Sequence, residues 1–318
     1  MNSGNKGLVN HGNTCYLNSM VQCLTHILFF HPVNNKLNKD YNILNDKEEI
    51  MKNWFILNKN MWDNETNDPI DIIQFIKSFI NVIKKDKLYF ENFRQNDAEE
   101  FLTLLFDMFH KVLKKKFVIE NKKNINKHWC ESIKTDYSLI IEYFYSQSQL
   151  QTKCTLCNHE IFKYENLFVY QLCINDSVNS IEDAFKLDCK TEQIDDYICD
   201  NCNKQSICLH KKRFNRMSDL IVVQLKIYNK QGKIHRHINY SKKLDLTEYN
   251  INKENTNYDL IGIVLHIGNL NGGHYYSICK NLVDEKWRIY NDRQVSIINE
   301  KDVFLKDPYM LFYKKNKN

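Results

Sequence analysis

No apolar run in the sequence approaches the roughly 18 residues of a membrane span. The opening stretch, "MNSGNKGLVN", lacks the apolar core of a secretory leader. These two absences predict an intracellular protein, of cytoplasm and/or nucleus, with reduced thiols and no membrane partner. A dominant charge is also missing. The net charge is only +5 and the isoelectric point about 8.5. Apart from "KVLKKK" at 111–116 and "HKKR" at 210–213, the basic residues are scattered. That pattern describes a solvated surface rather than a nucleic-acid face. There is no internal repeat and no low-complexity tail. The 8 glycines and 3 prolines are few for 318 residues, a compositional bias toward Asn and Lys without mechanistic content.

What is present is a 43% hydrophobic chain, long enough to bury a sizeable core in one large domain or two lobes. Eleven cysteines are too sparse here for a disulfide scaffold, and their odd number rules out complete internal pairing. In a reducing compartment cysteine then means packing, metal or catalysis.

The first half reads as helical. Met20, Leu24, Ile27 and Leu28 recur at helical spacing after Cys15, predicting a helix to about residue 30. "DPIDIIQFIKSFINVIKK" predicts a second, with Asp68 as N-cap, Pro69 in the first helical position and Ile72, Ile76, Phe79, Ile80 and Ile83 on one face. "NDAEEFLTLLFDMFHKVL" predicts a third, with Asp97 and Glu100 as a capping box. Residues 34–53 and 114–127, rich in Asn and Lys, read as loops. From residue 139 the β-branched and aromatic stretches "LIIEYFY", "IFKYENLFVYQLCI", "LIVVQLKIY", "YDLIGIVLHI", "HYYSICK" and "KWRIY" predict strands. Helices followed by strands indicate an α+β fold.

Three constellations carry chemistry. The first is "GLVNHGNTCYLNSMVQCL", 7–24. Cys15 at a helix start would feel unpaired N–H groups that favour a thiolate. Those N–H groups and the Asn10 side chain could hold an oxyanion. Gly12 allows a tight turn. A cysteine standing alone is more often a small core hydrophobe. The second is "NGGHYYSICKN…KWRIYND", 271–292. A cysteine nucleophile needs a base, and the base needs an orienting group. His274 follows two glycines, and Asn291 ends the next aromatic strand. Two adjacent antiparallel strands would bring them together as base and orienter. Asp292 competes with Asn291 for that place, and spacing does not separate them. The third is "CTLC", 154–157, with "CDNC", 199–202. Cys154, Cys157, Cys199 and Cys202 supply the four thiolates of a structural zinc. Two long strands and the short helix "SIEDAFKL" fit between the knuckles. His159 is a spare ligand. Cys23, Cys130, Cys173, Cys189, Cys208 and Cys279 read as packing, His266 as a core or site-lining residue, and His235 and His237 as surface. His11 lies too close to Cys15 in sequence to serve well as its base.

In their order along the chain, cysteine box, helical lobe, paired C-x-x-C, histidine box, the constellations resemble the ubiquitin-specific protease family, from Gly7 to about Tyr313. "RQNDAEEFL", 94–102, resembles that family's short glutamine–aspartate motif. The resemblance implies a papain-like fold shaped as a hand: a helical thumb over about 1–130, zinc-bearing β-fingers and palm strands over about 139–230, and a palm over about 231–318, together one catalytic domain. It makes Cys15 the nucleophile, His274 the base, Asn291 the third triad member, Asp292 a secondary polar partner and Asn10 the oxyanion side chain. It implies ubiquitin and ubiquitinated proteins as partners, with the Gly-Gly tail threading a narrow channel. Gly272 and Gly273, in "HIGNLNGG", would form one wall of that channel. Gln95, Asp97 and Glu100 would meet the basic tail. Departures are Ile and Tyr in "LIVVQLKIY", where the family often has Arg and Phe, and Glu99 where His is common. The chain is expected to be a minimal catalytic core and a monomer, with structural zinc its sole metal. The rivals are a catalytically dead ubiquitin-binding module, a protease for another ubiquitin-like modifier, and a zinc-ribbon nucleic-acid binder. The last leaves both boxes unexplained.

Overall fold

The structure is a computed structural model that describes residues 4–29, 46–63, 66–88, 90, 94–115, 126–229, 232–234, 236–269 and 272–316. The segment 34–45, most of 114–127, His235 and the 270–271 part of the predicted channel wall lie outside the described residues.

Helix α1 (Cys15–Phe29) runs through the centre of the molecule. Its residues from Cys15 to Leu28 are buried on every side rather than along one stripe. The polar ones find partners: Gln22 Nε2 donates to the Lys6 carbonyl at 2.8 Å, and His26 bonds Tyr290 Oη at 2.9 Å. Around α1 pack α2 (Asp46–Trp62), α3 (Ile73–Lys85) and α4 (Ala98–Leu113). Two short helices, α5 (Lys127–Ile133) and α6 (Leu139–Phe144), complete this half.

Three local expectations change. α2 begins inside the segment 34–53 that reads as loop, and takes in its residues 46–53. Its Ile50, Met51, Trp54, Leu57 and Met61 are buried at helical spacing among surface Asn and Lys. "LIIEYF" is helix, not strand. Ser138 caps it through Ile141 N–H, and Leu139, Ile140, Ile141 and Phe144 are buried. α3 begins at Ile73, not at Pro69: Asp71 Oδ1, not Asp68, accepts from Ile73 N–H at 2.9 Å. The displaced residue Ile70 instead forms a bridge with Leu8.

The strands form two sheets. The smaller has the order β2 (Glu160–Leu167), β1 (Ser146–Cys154), β5 (Gln205–Arg216), β4 (Glu192–Ile198), all antiparallel. The larger has the order β13 (Gln294–Ile298), β12 (Trp287–Asn291), β11 (Gly272–Lys280), β10 (Asn257–Asn269), β14 (Met310–Lys315), β6 (Leu220–Lys226), β3 (Val169–Cys173), with β9 (Lys243–Asp245) also on β10. A small hairpin, β7 (Tyr228–Asn229) with β8 (Gly232–Lys233), stands apart.

Both faces of the large sheet are covered, which explains the unbroken apolar run of β6. Val222 and Phe312 face the helices. Ile221, Val223 and Leu311 face a second core with α7 (Ile181–Asp188). α7 is the predicted "SIEDAFKL" helix, closed by a Ser180–Asp183 capping box. The fold is α+β, as the order of elements indicates.

Candidate active site and four-cysteine centre

α1 places Cys15 at its first turn, 5% exposed. β11 runs alongside α1 and carries His274 near its start, and β12 ends at Asn291. The register pairs Ser277 with Tyr290, so Asn291 falls beside the beginning of β11. There His274 Nε2 and Asn291 Oδ1 are 2.6 Å apart. An amide oxygen only accepts, so Nε2 carries the proton and Nδ1 keeps the lone pair. Cys15 faces the same strand at the Tyr275 N–H, whose dipole favours the thiolate.

Asn291 and Asp292, which spacing left as competitors, have different partners. Asp292 Oδ2 accepts from Asn10 Nδ2 at 2.9 Å, and Oδ1 from Asn18 Nδ2 at 2.7 Å. The Asp292 carbonyl accepts from Leu8 N–H at 2.8 Å. The Asn10 side-chain oxygen gathers the next turn: Gly12 N–H at 2.9 Å, Thr14 N–H at 3.2 Å and Thr14 Oγ1 at 3.2 Å. Gly12 has φ +88°, a conformation that a side chain disfavours. His11 turns away to Asp71, at 2.8 Å.

The expectation of a thiol acidified by the helix start is not met. Burial pushes the Cys15 thiol above its ordinary value. The Tyr275 N–H opposes this, the Asp292 charge adds to it, and the N–H groups of Tyr16 and Cys15 oppose it again. Desolvation outweighs the N–H donors, so the resting thiol is neutral.

The glutamine–aspartate stretch faces the same strand. Gln95 Oε1 accepts from Gly273 N–H at 3.0 Å. Asp97 caps α4 through Glu99 N–H at 2.7 Å and accepts from Tyr309 Oη at 2.6 Å. The predicted capping box with Glu100 is not formed. The cap bond goes to the N–H of Glu99, and Glu100 is exposed, its carboxyl pushed up by partial desolvation against the protein and by Asp97. Gln95, Asp97, Gly272, Tyr228, His266 and Tyr275 line a cavity of about 170 Å³. Gly273 packs so tightly that a Cβ there would lie 2.3 Å from His266 Nε2. His266, read as core or site-lining, lines this cavity and bonds Tyr228 Oη at 2.7 Å.

At the far end of the smaller sheet the four predicted cysteines converge, their sulfurs all within 4.8 Å of one another. Cys157 and Cys199 are 3.6 Å apart. A tetrahedral set at about 2.3 Å from zinc spaces its sulfurs by about 3.8 Å, so the donors fit that ion. The two knuckles are built alike. Asn158 N–H donates to the Cys154 carbonyl and Asn203 N–H to the Cys199 carbonyl, with φ +56° and +53° at the two asparagines. The Asn after each C-x-x-C, a residue that tolerates positive φ, is a signal that the sequence reading passed over. His159 is not in the cluster. Of the other cysteines, Cys23 and Cys279 touch at 3.7 Å in the core, and Cys130, Cys189 and Cys208 are buried. Cys173 is exposed, not packed.

A cysteine at a helix start, a histidine on an adjacent strand and an amide on its outer nitrogen make the arrangement of a papain-like cysteine hydrolase. Residues 6–313 match the family described as ubiquitin carboxyl-terminal hydrolase (UCH), and the chain belongs to that family. It is 26% identical to ubiquitin carboxyl-terminal hydrolase 2 of Bos taurus, over 98% of this chain and 55% of that protein. It is 28% identical to ubiquitin carboxyl-terminal hydrolase 5 of Saccharomyces cerevisiae, over 97% of this chain and 44% of that protein. With ubiquitin carboxyl-terminal hydrolase Usp2 of Drosophila melanogaster the identity is 25%, over 97% of this chain and 34% of that protein. The chain thus spans about a third to about half of these relatives. Its fold matches the SAGA Ubp8/Sgf11/Sus1/Sgf73 DUB module solved with ubiquitin aldehyde, with TM-score 0.80, 22% identity, and coverage of 98% of this chain and 70% of that one. No helix among the described residues is long and apolar enough to cross a membrane.

Proposed function

We propose that the chain is a cysteine-type deubiquitinase, hydrolysing the isopeptide or peptide bond after the C-terminal Gly-Gly of ubiquitin. The observation that carries this reading is the 2.6 Å contact between His274 and Asn291, on the strand whose next N–H meets Cys15. Cys15 Sγ attacks the carbonyl carbon of the last glycine. His274 Nδ1 takes the thiol proton as the bond forms, because the resting thiol is neutral. The same proton then goes to the leaving amine, and His274 draws a proton from water to release the acyl group. Asn291 holds the ring. Asn10 Nδ2, steadied by Asp292, offers its second N–H to the oxyanion beside the backbone donors of the α1 start.

In this reading the helices up to about residue 130 are the thumb, 139–230 supply fingers and palm strands, and 231–318 the rest of the palm, in one domain. The tail follows the cavity bounded by Gln95, Asp97 and Gly272, passes Gly273, and meets Glu100 through its arginines. The folded body of ubiquitin rests on the fingers. The strand register puts Phe162, Ile198, Ile207 and Leu209 on one face of the smaller sheet, all exposed. Gln147 and Asn166, on that same face, bond Ser132 of α5, so the apolar patch looks toward the thumb. Cys154, Cys157, Cys199 and Cys202 would hold one structural zinc, which cross-links the finger tips. The acting species is a monomer, and ubiquitinated proteins are the substrates.

The test is a ubiquitin bearing a C-terminal electrophile, run beside the same probe on other ubiquitin-like modifiers. A mass increase of one ubiquitin, mapped to Cys15, is the expected result. Reversible ubiquitin binding without adduct would support a non-catalytic binding module. Adducts with another modifier alone would move the substrate.

A further inference from the structure

The thumb segment 95–98 bonds β11 on both sides of His274. Before the histidine, Gly273 N–H donates to Gln95 Oε1 at 3.0 Å. After it, Tyr275 Oη donates to Asp97 Oδ2 at 3.5 Å and faces the Ala98 N–H. Asp97 is itself fixed, by the Glu99 N–H and by Tyr309 Oη. Ala98 N–H belongs to the first turn of α4, so the phenol of Tyr275 sits on a helix end. The backbone N–H of Tyr275 in turn faces the Cys15 sulfur. Asn291 restrains the imidazole from one side only. The 95–98 segment holds the strand on either side of that imidazole from across the cleft.

We infer that Gln95 and Asp97 are positioning residues for the Cys15–His274 pair, acting through the backbone of Gly273 and the side chain of Tyr275. This rests on the deubiquitinase reading for its substrate, but the clamp itself is independent of it. The segment's two side chains have their partners inside the protein, so their first effect is on base alignment and only secondarily on the tail. Gln95 carries the sharper consequence. It is exposed and holds one backbone N–H, so its loss frees the start of β11 without opening the core. Asp97 also caps α4, and its removal would mix positioning with helix stability.

The experiment compares wild type with Gln95→Ala and Gln95→Glu, the latter keeping an oxygen acceptor. Two readouts are taken: kcat and KM on a ubiquitin with a fluorogenic C-terminal amide, and the rate of iodoacetamide alkylation of Cys15 from pH 5 to 10. The second needs no ubiquitin, and it reports how the thiol senses the imidazole. Other titratable groups facing the pair are Asp292, Tyr16, Tyr275 and His266. The expected result for Gln95→Ala is kcat reduced about tenfold, KM changed less than about twofold, and a displaced alkylation profile, with most of kcat recovered in Gln95→Glu. A raised KM with unchanged kcat and an unchanged alkylation profile would overturn the inference and leave Gln95 as a tail contact only. If no variant, wild type included, releases the fluorophore, the substrate reading fails. The alkylation profile then still decides the clamp.

Discussion

Asp292 Oδ2 accepts a hydrogen bond from Asn10 Nδ2 at 2.9 Å, joining residues 282 apart in sequence. With Asn18 on its other oxygen and Leu8 on its carbonyl, this aspartate fastens the loop before α1, and α1 itself, to the end of β12. The third element of the site is thereby split between two neighbours. Asn291 bonds the imidazole and Asp292 holds the loop before α1, which carries the proposed oxyanion donor.

That division gives opposite signs to two measurements on Asp292→Asn. The variant loses one of two carboxylate acceptors and the negative charge that adds to burial in holding the Cys15 thiol up. Turnover of fluorogenic ubiquitin is expected to fall on the order of 10- to 100-fold as the Asn10 donor loosens. Alkylation of Cys15 at pH 7 is expected to become faster, because the thiolate is easier to form. Slower alkylation together with slower turnover would mean that Asp292 acts on the thiol itself.

Gly7 lies against the same turn. A Cβ at Gly7 would come 2.4 Å from the Arg293 carbonyl oxygen and 2.5 Å from that of Asp292, both backbone atoms that cannot swing aside. Gly7→Ala is expected to lower the melting temperature by several degrees, for a loss of about 1–3 kcal/mol. It should also reduce kcat more than KM. Thermal scanning and steady-state kinetics check both, and an unchanged kcat would detach the Asp292 turn from the oxyanion loop.

His26 makes stability depend on acid. It is fully buried, and desolvation lowers its pKa from 6.5 to about 4, against hydrogen bonds to the Gln22 and Gly4 carbonyls that raise it. A histidine with a depressed folded-state pKa contributes stability above its unfolded value and loses it as pH falls toward 4. Between pH 7 and pH 5 the loss is about 2 kcal/mol, since the unfolded chain takes up the proton first. Urea unfolding at the two pH values measures it. In His26→Gln the same pH interval should cost less, and an equal slope would assign the effect to other groups.

The four-cysteine centre predicts metal. Purified protein should contain about one zinc per chain. Cys199→Ser should lose metal and lower the melting temperature, while alkylation of Cys15, on α1 beside the larger sheet, keeps its rate. Elemental analysis and thermal scanning on the same samples decide it. Full zinc content and an unchanged melting temperature in Cys199→Ser would count against the centre.

The site residues were legible because each constellation is local in sequence: Cys15 with Asn10, His274 with Asn291, and two C-x-x-C pairs. The α+β order was legible from periodicity. Three things were not. In 46–62 the surface Asn and Lys masked Ile50, Trp54 and Leu57 on the buried face of α2. In "LIIEYF" β-branched and aromatic content outweighed the Ser138 cap, and packing chose helix. The contacts of Gln95 with Gly273 and of Asp97 with Tyr275 each join residues 178 apart, and no local pattern announces them. The thiol's direction was misjudged for a related reason. The helix start is visible in sequence, whereas the burial and the Asp292 charge that outweigh it come from the far end of the chain.

The central claim is tested most directly by hydrolysis of ubiquitin with a fluorogenic C-terminal amide, using wild type, Cys15→Ala and His274→Ala. The account predicts steady release by wild type and loss of at least about a thousandfold in both variants, with folding retained. Release by Cys15→Ala at the wild-type rate, or none by wild type, would contradict it.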